Sequence, residues 1–542
     1  MSAEKDQQQQ QQQQHRARVN SVIEERARQQ QQQMWGRFLN SYVLNLLFPA
    51  QVKSIDNTKV LRTNPDLIQA RLMEHGILFE DDEDNEPQTQ SIPQLQRSVA
   101  QVVDNLMRTD CYNAVHIEVD TAKDKDNNDS QQQLLNVWLD EKKWYKLYLG
   151  GGLKQSSQSD GGMFGFMDQS SNIPGVQFET SIGLLNLTGY TDTTNVQYTI
   201  DPAANSSLLV RHERPLYAWL GGEDSLLGSM VLASRQGSQI AGSLKCLLDT
   251  MDYEWTRSYK EHVRSISARI DNTGNVVATP KNLDQSYWGI GYDLSLRDVV
   301  PRKHATLPYA ADASPEIVAA SGPSLASIIR YEQRSNGSLV DDRFQPTRGV
   351  QYHAKYELAG PPGDVGYAKV QGGLAVHVPL SSSGISIHAL CESGILKPLT
   401  FGGLCNNNNT STTQLSDRFF VGGPTPMRGF GPAGMGPRAK SGRGSGDALG
   451  GNFYSVATLA ASVPLPGRLG SDFGVRAFGF GSAGTLLGTT DGIPYSRIAK
   501  SARTSLGVGL SAGTPMGRLE ATYAVPLRYG PRDARRDRKS VV

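Results

Sequence analysis

The stretch Asp-Arg-Phe-Phe-Val-Gly-Gly-Pro-Thr-Pro-Met-Arg-Gly-Phe, residues 417–430, is the feature around which the chain is organised. It lies in a long segment, residues 397–450, that is rich in glycine and proline and interrupts a regular alternation of apolar and polar residues. Three phenylalanines are unusual in a solvated connector. We therefore expect residues 397–450, here called the inward loop, to fold into a cavity with Arg428 as its cation. A disordered lid that contains an arginine by chance is the alternative.

On both sides of the inward loop the chain alternates between two faces, as a β-strand does. The alternation is clearest in residues 144–149, 176–184, 350–358 and 518–527. One face is apolar, whereas the other carries polar or charged side chains such as Glu357 and must contact water. Several runs have the length of about 9–11 residues with which a tilted strand crosses a bilayer.

About fifteen such runs lie between residues 143 and 528. They predict a mainly β chain in which residues 142–542 form a transmembrane antiparallel β-barrel of about 15–16 strands. A soluble β-sandwich is the alternative, but its strands are usually about five or six residues long. Proline closes several runs, a position where it removes no ladder hydrogen bond. We also expect short turns on one rim and long loops on the other.

Composition limits the classes of function. The 542 residues contain 54 Lys plus Arg and 53 Asp plus Glu, a net charge of +1, so we expect no nucleic-acid partner. Mean hydropathy is −0.41 and no apolar run reaches 18 residues, which excludes membrane-spanning helices but leaves membrane-spanning strands open. The cysteines form no CxxC pair, which argues against a zinc ribbon or a disulfide scaffold. These cysteines are Cys111, Cys246, Cys391 and Cys405.

The part before the barrel divides in two. Residues 1–48 read as a low-complexity leader with a short apolar helix, and the absence of a secretory signal points to a eukaryotic protein made in the cytosol. Residues 49–141 follow the order β-α-α-β-β and predict a small α+β domain. Its expected elements are a strand over 51–62, helices that begin at 65 and near 91–93, and strands over 114–119 and 134–139.

Two short motifs imitate catalytic or nucleotide-binding sequences. Residues 509–513 match G-x-S-x-G, and residues 507–512 match G-x-G-x-x-G/A. Neither has the strand-to-helix context that those motifs require, so we interpret both as small residues within a strand. We predict no enzyme, no cofactor and no metal.

Three parts of the sequence also resemble a known protein family. Residues 420–423, Phe-Val-Gly-Gly, and 427–430, Met-Arg-Gly-Phe, resemble the sixth loop of the outer-membrane β-barrel assembly family. Residues 342–349, Asp-Arg-Phe-Gln-Pro-Thr-Arg-Gly, resemble that family's D-x-x-x-P-T-x-G strand entry, and residues 49–141 resemble its POTRA domain. A single POTRA-like domain without a bacterial signal is most like the mitochondrial members, the central barrel subunits of the sorting and assembly machinery. The resemblance marks six loop residues: Phe420, Gly422, Gly423, Arg428, Gly429 and Phe430.

The resemblance implies a function and a location. Such proteins insert and fold β-barrel precursors into the mitochondrial outer membrane, with the POTRA-like domain in the intermembrane space. The implied partners are unfolded β-barrel precursors, peripheral subunits of the same assembly complex and membrane lipid. A protein-conducting or passive channel of an organelle outer membrane is the alternative, and a structural barrel that anchors partner subunits is a third hypothesis.

The chain departs from the family at two positions. Ser482 stands where family members offer an aspartate to the loop arginine, so Arg428 needs another partner, for which Glu392 and Glu520 are candidates. Residues 535–539 are basic where the family has a closing strand, which predicts an absent or shortened final strand.

The first barrel strand is the expected site of precursor pairing. It ends in three glycines, which weaken strand pairing, and an unpaired strand edge is a template for another strand. We therefore predict a weak lateral seam where a precursor strand pairs by β-augmentation. The seam residues are Tyr145, Leu147, Leu149, Gly150, Gly151 and Gly152.

Overall fold

The structure is a computed structural model. It describes residues 50–55, 60–74, 77, 92–123, 131–153, 176–200, 205–216, 241–272, 286–303, 312–335, 339–342, 344–380, 384–399, 413–423, 427–440, 446–471, 473–488, 495–514, 517–535 and 540–541. The predicted leader, residues 1–48, lies outside the described residues. The chain forms two compact units, of which the second runs from Lys142 to Val542 and includes residues 108–111.

The first unit is a small α+β domain. Its elements are β1 (Gln51–Ser54), α1 (Pro65–Glu74), α2 (Ile92–Arg108), β2 (Tyr112–Lys123) and β3 (Gln131–Glu141). The sheet has the order β1-β3-β2, with β1 parallel and β2 antiparallel to β3. Leu67 and Leu72 of α1, Val102 and Leu106 of α2 and Val137 of β3 are buried and form its core.

The elements occur in the β-α-α-β-β order that the sequence indicates. The Asn64 side-chain oxygen accepts a hydrogen bond from the backbone N–H of Asp66 at 3.0 Å, just before α1 begins. The first strand is shorter than the expected 51–62, because strand pairing stops at Ser54.

The second unit is dominated by one antiparallel sheet. Its strands are β4 (Tyr145–Leu153), β5 (Val176–Leu185), β6 (Thr193–Ile200), β7 (Ser206–Pro215), β8 (Ala241–Asp252), β9 (Tyr259–Asp271), β10 (Tyr287–Pro301), β11 (Gly322–Arg334), β12 (Gly349–Ala359), β13 (Tyr367–Pro379), β14 (Ser386–Pro398), β15 (Phe453–Pro464), β16 (Arg476–Leu487), β17 (Arg503–Thr514), β18 (Gly517–Arg528) and β19 (Ser540–Val541). Short helices join them: α3 (Glu254–Arg257), α4 (Pro315–Ala319), α5 (Arg468–Ser471) and α6 (Tyr495–Ser501). Every strand pairs with its neighbours in sequence, which gives a meander of 16 strands.

The two faces of this sheet differ as the alternation predicts. On β18, Leu519 and Leu527 expose 55% and 62% of their surface, whereas Thr522 and Ala524 expose 6% and 9%. The apolar face is therefore the outer one. A buried cluster joins residues of β11 to β16 with the inward loop, so the loop covers the inner face of these strands. The predicted fold, a transmembrane antiparallel β-barrel of about 15–16 strands after a small α+β domain, is confirmed.

Within the described residues, no helix combines the length and the hydropathy that crossing a membrane requires.

The proline positions follow from ladder geometry. Pro379 and Pro464 are the last residues of β13 and β15. Pro526 lies beside an irregularity, where the register between β17 and β18 shifts between Thr504 and Ser505. Strand ends and bulges are the positions at which a missing N–H disturbs no regular pairing.

The expected contrast between the rims is only partly present. The β13–β14 turn is short and the β14–β15 connection contains the inward loop, in agreement with the expectation. However, the long connection over residues 216–240 joins β7 to β8, and antiparallel alternation places it on the rim of the short turns. That part of the prediction is wrong, because the antiparallel order of the strands fixes the rim that a connection joins but not the length of the connection.

Candidate functional site at the inward loop

A buried carboxylate fixes the start of the inward loop. Asp417 ends a short 3₁₀ turn, Leu415–Asp417, and only 2% of its side chain is exposed. Its Oδ1 accepts a hydrogen bond from Arg297 Nη1 of β10 at 2.6 Å. Lys369 Nζ of β13 donates to the Asp417 carbonyl oxygen at 2.9 Å. The turn is thus held by cations from two strands of the inner face.

The next two residues place aromatic rings on opposite sides of the loop. The Phe419 ring packs against Tyr454 of β15, with ring centroids 4.6 Å apart. The Phe420 ring lies 3.4 Å from the guanidinium carbon of Arg257, at the end of α3. Both phenylalanines are buried and belong to two different hydrophobic clusters. The predicted inward packing of this stretch is present in the structure.

Of the two glycines that follow, Gly422 is required by the backbone geometry. Its φ is +127°, a region that side chains rarely adopt, and a Cβ there would collide with backbone atoms of Gly431 and Gly434. The backbone of the loop doubles back on itself here, with bridges between Val421 and Met435 and between Gly423 and Met427.

The loop arginine binds a strand near the end of the sheet. Arg428 Nη2 lies 2.6 Å from Glu520 Oε2 of β18, and the two side chains are 14% and 12% exposed. The Arg428 guanidinium carbon also lies 5.0 Å from the ring centre of Phe480 on β16. Gly507 and Gly509 of β17 leave space for the Phe480 and Phe478 rings, because a Cβ at either glycine would contact them at 2.6–2.7 Å.

This packing explains why residues 507–513 match the G-x-S-x-G and G-x-G-x-x-G/A motifs. Gly507 and Gly509 are the small residues opposite the rings under Arg428, and Ser511 is buried in β17 opposite Glu520. The interpretation as strand residues agrees with the structure.

Glu520, and not Ser482 or Glu392, is the partner of Arg428 in the structure. Ser482 is buried, and its hydroxyl lies 2.8 Å from the hydroxyl of Thr458 on β15. Glu392, the other carboxylate considered from the sequence, accepts a hydrogen bond from Tyr454 Oη at 3.1 Å. Glu520 is also bound by Arg518 at 2.6 Å, so it lies between two arginines.

Charged groups outside the strands hold the flanks of the loop. Arg418 donates to the carbonyl oxygens of Thr413 and Leu449, and burial lowers the pKa of its guanidinium. Burial likewise lowers the pKa of Arg438, which donates to the Gly446 carbonyl oxygen at 2.6 Å. Arg418 and Arg438 thus hold the loop backbone through hydrogen bonds, so the expectation that Arg428 is the one cation of the inward loop is wrong.

The Asp447 carboxylate holds the later part of the inward loop in place. Asp447 Oδ1 accepts from Ser258 Oγ at 2.5 Å, and its Oδ2 accepts from the Ser314 backbone N–H at 2.8 Å. These contacts reach the connections that follow β8 and β10. Sequence reasoning missed them, because a carboxylate in a glycine-rich loop gives no indication of its partner.

The segment that follows β18 also contacts the loop. The Gly431 N–H donates to the Ala534 carbonyl oxygen at 2.8 Å, and the Ala534 N–H donates to the Gly434 carbonyl oxygen at 2.9 Å. Phe430, with 1% exposure, forms a bridge with Arg535. The turn that contains Arg428 and Gly429 is therefore joined to the chain beyond the last long strand.

The strand-entry motif forms a compact turn before β12. Asp341 Oδ1 accepts from the backbone N–H groups of Thr347 and Arg348 at 2.8 and 3.0 Å. Asp342 Oδ1 accepts from the Phe344 N–H at 2.7 Å. Gly349 has a φ of +124°, and a Cβ there would collide with the Leu339 carbonyl oxygen. The motif thus reverses the chain tightly at the start of the strand.

The predicted seam residues lie at the opposite end of the sheet order from β18. Tyr145, Leu147 and Leu149 are 49%, 68% and 80% exposed, on a strand that pairs with β5. Gly150, Gly151 and Gly152 lie opposite Glu179, Phe178 and Gln177. Within the described residues β4 has no second neighbour, and β19 pairs with β18 through two residue pairs. The loop motif and the seam residues therefore form two separate groups.

The part of the chain that the structure describes contains no group of three or more His, Cys, Asp or Glu arranged to hold a metal ion.

Comparisons with known proteins agree with this architecture. A family model described as the Omp85 superfamily domain matches residues 245–539, more than half of the chain. A SAM50-like protein of Schizosaccharomyces pombe is 31% identical over 228 residues, which cover 41% of this chain and 44% of that protein. The sorting and assembly machinery component 50 homolog of Mus musculus is 33% identical over 220 residues, which cover 38% of this chain and 42% of that protein.

The alignments thus span less than half the length of these curated relatives. Among solved structures, BamA of Haemophilus ducreyi lacking POTRA domains 1–3 superposes with a TM-score of 0.62 at 17% identity, over 91% of this chain and 84% of that one. That likeness supports the fold. Since the family model covers most of the barrel, including the inward loop and its Arg428–Glu520 pair, the chain belongs to the Omp85 superfamily.

Proposed function

We propose that this protein inserts and folds β-barrel precursor proteins into the mitochondrial outer membrane through a lateral seam between β4 and the end of the sheet at β18 and β19. Two relatives carry names of the sorting and assembly machinery, which supports β-barrel assembly as the general function. The observation that carries the finer mechanism is the edge of β4. It is the last strand of the sheet order and has one neighbour within the described residues.

The physical chemistry of this edge favours strand exchange. A strand edge in lipid leaves backbone N–H and C=O groups without partners, at a cost of several kcal/mol for each group. A precursor strand that pairs with β4 would satisfy those groups in both chains. The run Gly150–Gly152 offers no side chains for packing, so a strand that pairs at this edge displaces no packed side chains of β4. No nucleotide is needed in this scheme.

The inward loop would position the precursor strand. It occupies the concave side of β8 to β18, and its Arg428 is bound to β18, which borders the proposed seam. The domain of residues 49–141 would receive precursors in the intermembrane space. Peripheral subunits of the same assembly complex and membrane lipid complete the proposed partners.

Site-specific crosslinking tests the seam. The variants carry a single new cysteine in a background where the exposed Cys246 and Cys391, and also Cys405, are replaced by alanine and the buried Cys111 is kept. Leu149→Cys on β4 is expected to form a disulfide with a cysteine in the terminal strand of an arrested precursor. Leu358→Cys on β12 is the matched control, because it is also an exposed leucine on the outer face, at 47%. Equal crosslinking at both positions would contradict the seam.

Crosslinking at a further position and one additional variant separate the alternatives. A protein-conducting channel predicts crosslinks at Glu357→Cys, on the inner face next to the control position, and none at Leu149→Cys. A structural barrel that anchors subunits predicts that Arg428→Ala leaves precursor assembly intact while subunit recruitment fails. The filled inner face speaks for insertion, because the inward loop occupies part of the path that a conducting channel would need.

A further inference from the structure

The outer, apolar row of β18 ends in a cluster of cations. Leu519, Tyr523, Val525 and Leu527 are 55%, 47%, 42% and 62% exposed and form the lipid-facing row. The next eight residues, 528–535, here called the basic rim segment, contain three arginines and one carboxylate.

A bulge directs the first of these arginines outward. Thr504 lies opposite Arg528 and Ser505 opposite Pro526, so Leu527 is an extra residue on β18. Ser505 is 2% exposed and faces inward. Its neighbour Thr504 and the partner Arg528 therefore belong to the outer face. Without the bulge, strand alternation would turn the Arg528 side chain into the barrel.

The only carboxylate of the basic rim segment is already engaged. Asp533 is 2% exposed at its side chain and binds Arg503 Nε at 3.0 Å. It also accepts a hydrogen bond from the Gly530 backbone N–H, which closes the turn between these two residues. Arg528, Arg532 and Arg535 are exposed, and none has a carboxylate within ion-pair distance among the described residues.

Neighbouring groups extend the cluster. Arg528 Nη2 donates to the Lys500 carbonyl oxygen at 3.1 Å, which brings the exposed Lys500 of α6 close to the segment. The Arg535 guanidinium carbon lies 4.2 Å from the ring centre of Tyr529, itself 46% exposed. A tyrosine among cations at the end of a lipid-facing row is typical of the depth at which phospholipid headgroups lie.

We propose that the basic rim segment binds the phosphate headgroup of an anionic phospholipid at the end of β18. Exposed arginines next to an apolar strand can bind a phosphate while the acyl chains lie on the row of β18 below. The bound lipid would lie beside one border of the proposed seam, yet binding needs no precursor and no insertion activity.

Lipid retention tests this proposal with the full-length protein in micelles of a neutral detergent. Phosphatidylglycerol or phosphatidylcholine is titrated in, and bound lipid is counted by native mass spectrometry. We expect a preference for phosphatidylglycerol that Arg528→Gln, Arg532→Gln and Arg535→Gln together reduce. A cation near a membrane surface changes affinity about fivefold, so the triple variant should lose on the order of a hundredfold.

Matched variants keep the result interpretable. Arg264→Gln with Lys303→Gln removes two other exposed cations, one from the outer face of β9 and one that follows β10 at the same rim, and should leave the preference intact. The triple arginine-to-lysine variant keeps the charge and should retain most of the preference. Arg532→Gln alone should show about a fivefold loss, because the contacts of Asp533 with Arg503 and Gly530 and of Arg528 with Lys500 do not involve its side chain.

Two outcomes would overturn the proposal. One is that the triple glutamine variant still prefers phosphatidylglycerol as strongly as the wild type does. The mobility of the unheated variant in gel electrophoresis shows that it is folded. The other is full competition by inorganic phosphate at equal concentration, which would assign the cations to a soluble anion instead of a lipid.

Discussion

Arg428 and Glu520, which are 92 residues apart in sequence, join the inward loop to β18 through a 2.6 Å contact between Nη2 and Oε2. Glu520 keeps a second arginine, Arg518, also at 2.6 Å. Arg428 of the loop and Arg518 thus share the single carboxylate of Glu520.

We expect Arg428→Ala to reduce the free energy of unfolding by about 2 kcal/mol, the magnitude of a hydrogen bond to a charged group. The loss is moderate because Arg518 still neutralises Glu520. A double-mutant cycle with Glu520→Ala, measured by urea unfolding in detergent, should give a coupling energy of about 1–3 kcal/mol. Arg211→Ala, which removes an ion pair within β7, is the control and should show no coupling to Glu520. Additive losses for Arg428 and Glu520 would refute the pair.

Asp417→Ala should cost more than Arg428→Ala. Asp417 forms an ion pair with Arg297, whose side chain is 15% exposed, so the substitution removes the carboxylate that is hydrogen-bonded to a largely buried guanidinium. We expect a loss of about 3–5 kcal/mol in the free energy of unfolding. Asp417→Asn keeps an acceptor for Arg297 and should lose less. If the alanine variant of Asp417 were as stable as that of Arg428, the ranking would be wrong.

Gly422→Ala should release the inward loop and leave the barrel folded. The substitution combines a positive φ with a collision against the backbone of Gly431 and Gly434. Gly322→Ala is the matched control, since its φ is +115° but no atom lies within 4 Å of the added Cβ. Faster proteolysis between residues 417 and 438 is expected for Gly422→Ala only. Equal proteolysis of the two variants would assign the effect to backbone strain and not to the collision.

The turn before β12 should weaken at low pH. Burial alone would raise the pKa of Asp341, but hydrogen bonds from the Thr347 hydroxyl and from the backbone N–H groups of Thr347 and Arg348 outweigh it and hold the pKa below its ordinary value. A carboxyl group with a lowered folded-state pKa stabilises the fold above its unfolded pKa of about 3.9, and this contribution disappears as the pH falls through the folded-state value.

Urea unfolding of the wild type and of Asp341→Asn between pH 6 and pH 3 checks this. The wild type should be the more stable at pH 6, and the difference should shrink below about pH 4. A difference that stays constant over this range would show that the carboxylate charge does not contribute.

Much of the fold could be predicted because strand alternation is a local property. The two faces of β12 and β18 follow directly from the sequence, since successive side chains point to opposite sides. The inward packing of Phe419 and Phe420 could also be anticipated, because large apolar side chains leave water wherever a cavity accepts them. The single POTRA-like assignment, the absence of enzyme activity and the role of the six seam residues stay predictions.

The sequence by itself determined the strand count, the apolar outer face and the presence of a glycine-rich loop with one arginine at its turn, because each depends on residues that are close together in the chain. Only the tertiary structure decided that Arg428 binds Glu520 and not Glu392, that Asp417 binds Arg297, and that the chain beyond β18 joins the loop at Ala534. The physical reason is that alternation assigns a side chain to a face, whereas strand register and barrel curvature determine which distant residues on that face come within hydrogen-bonding distance.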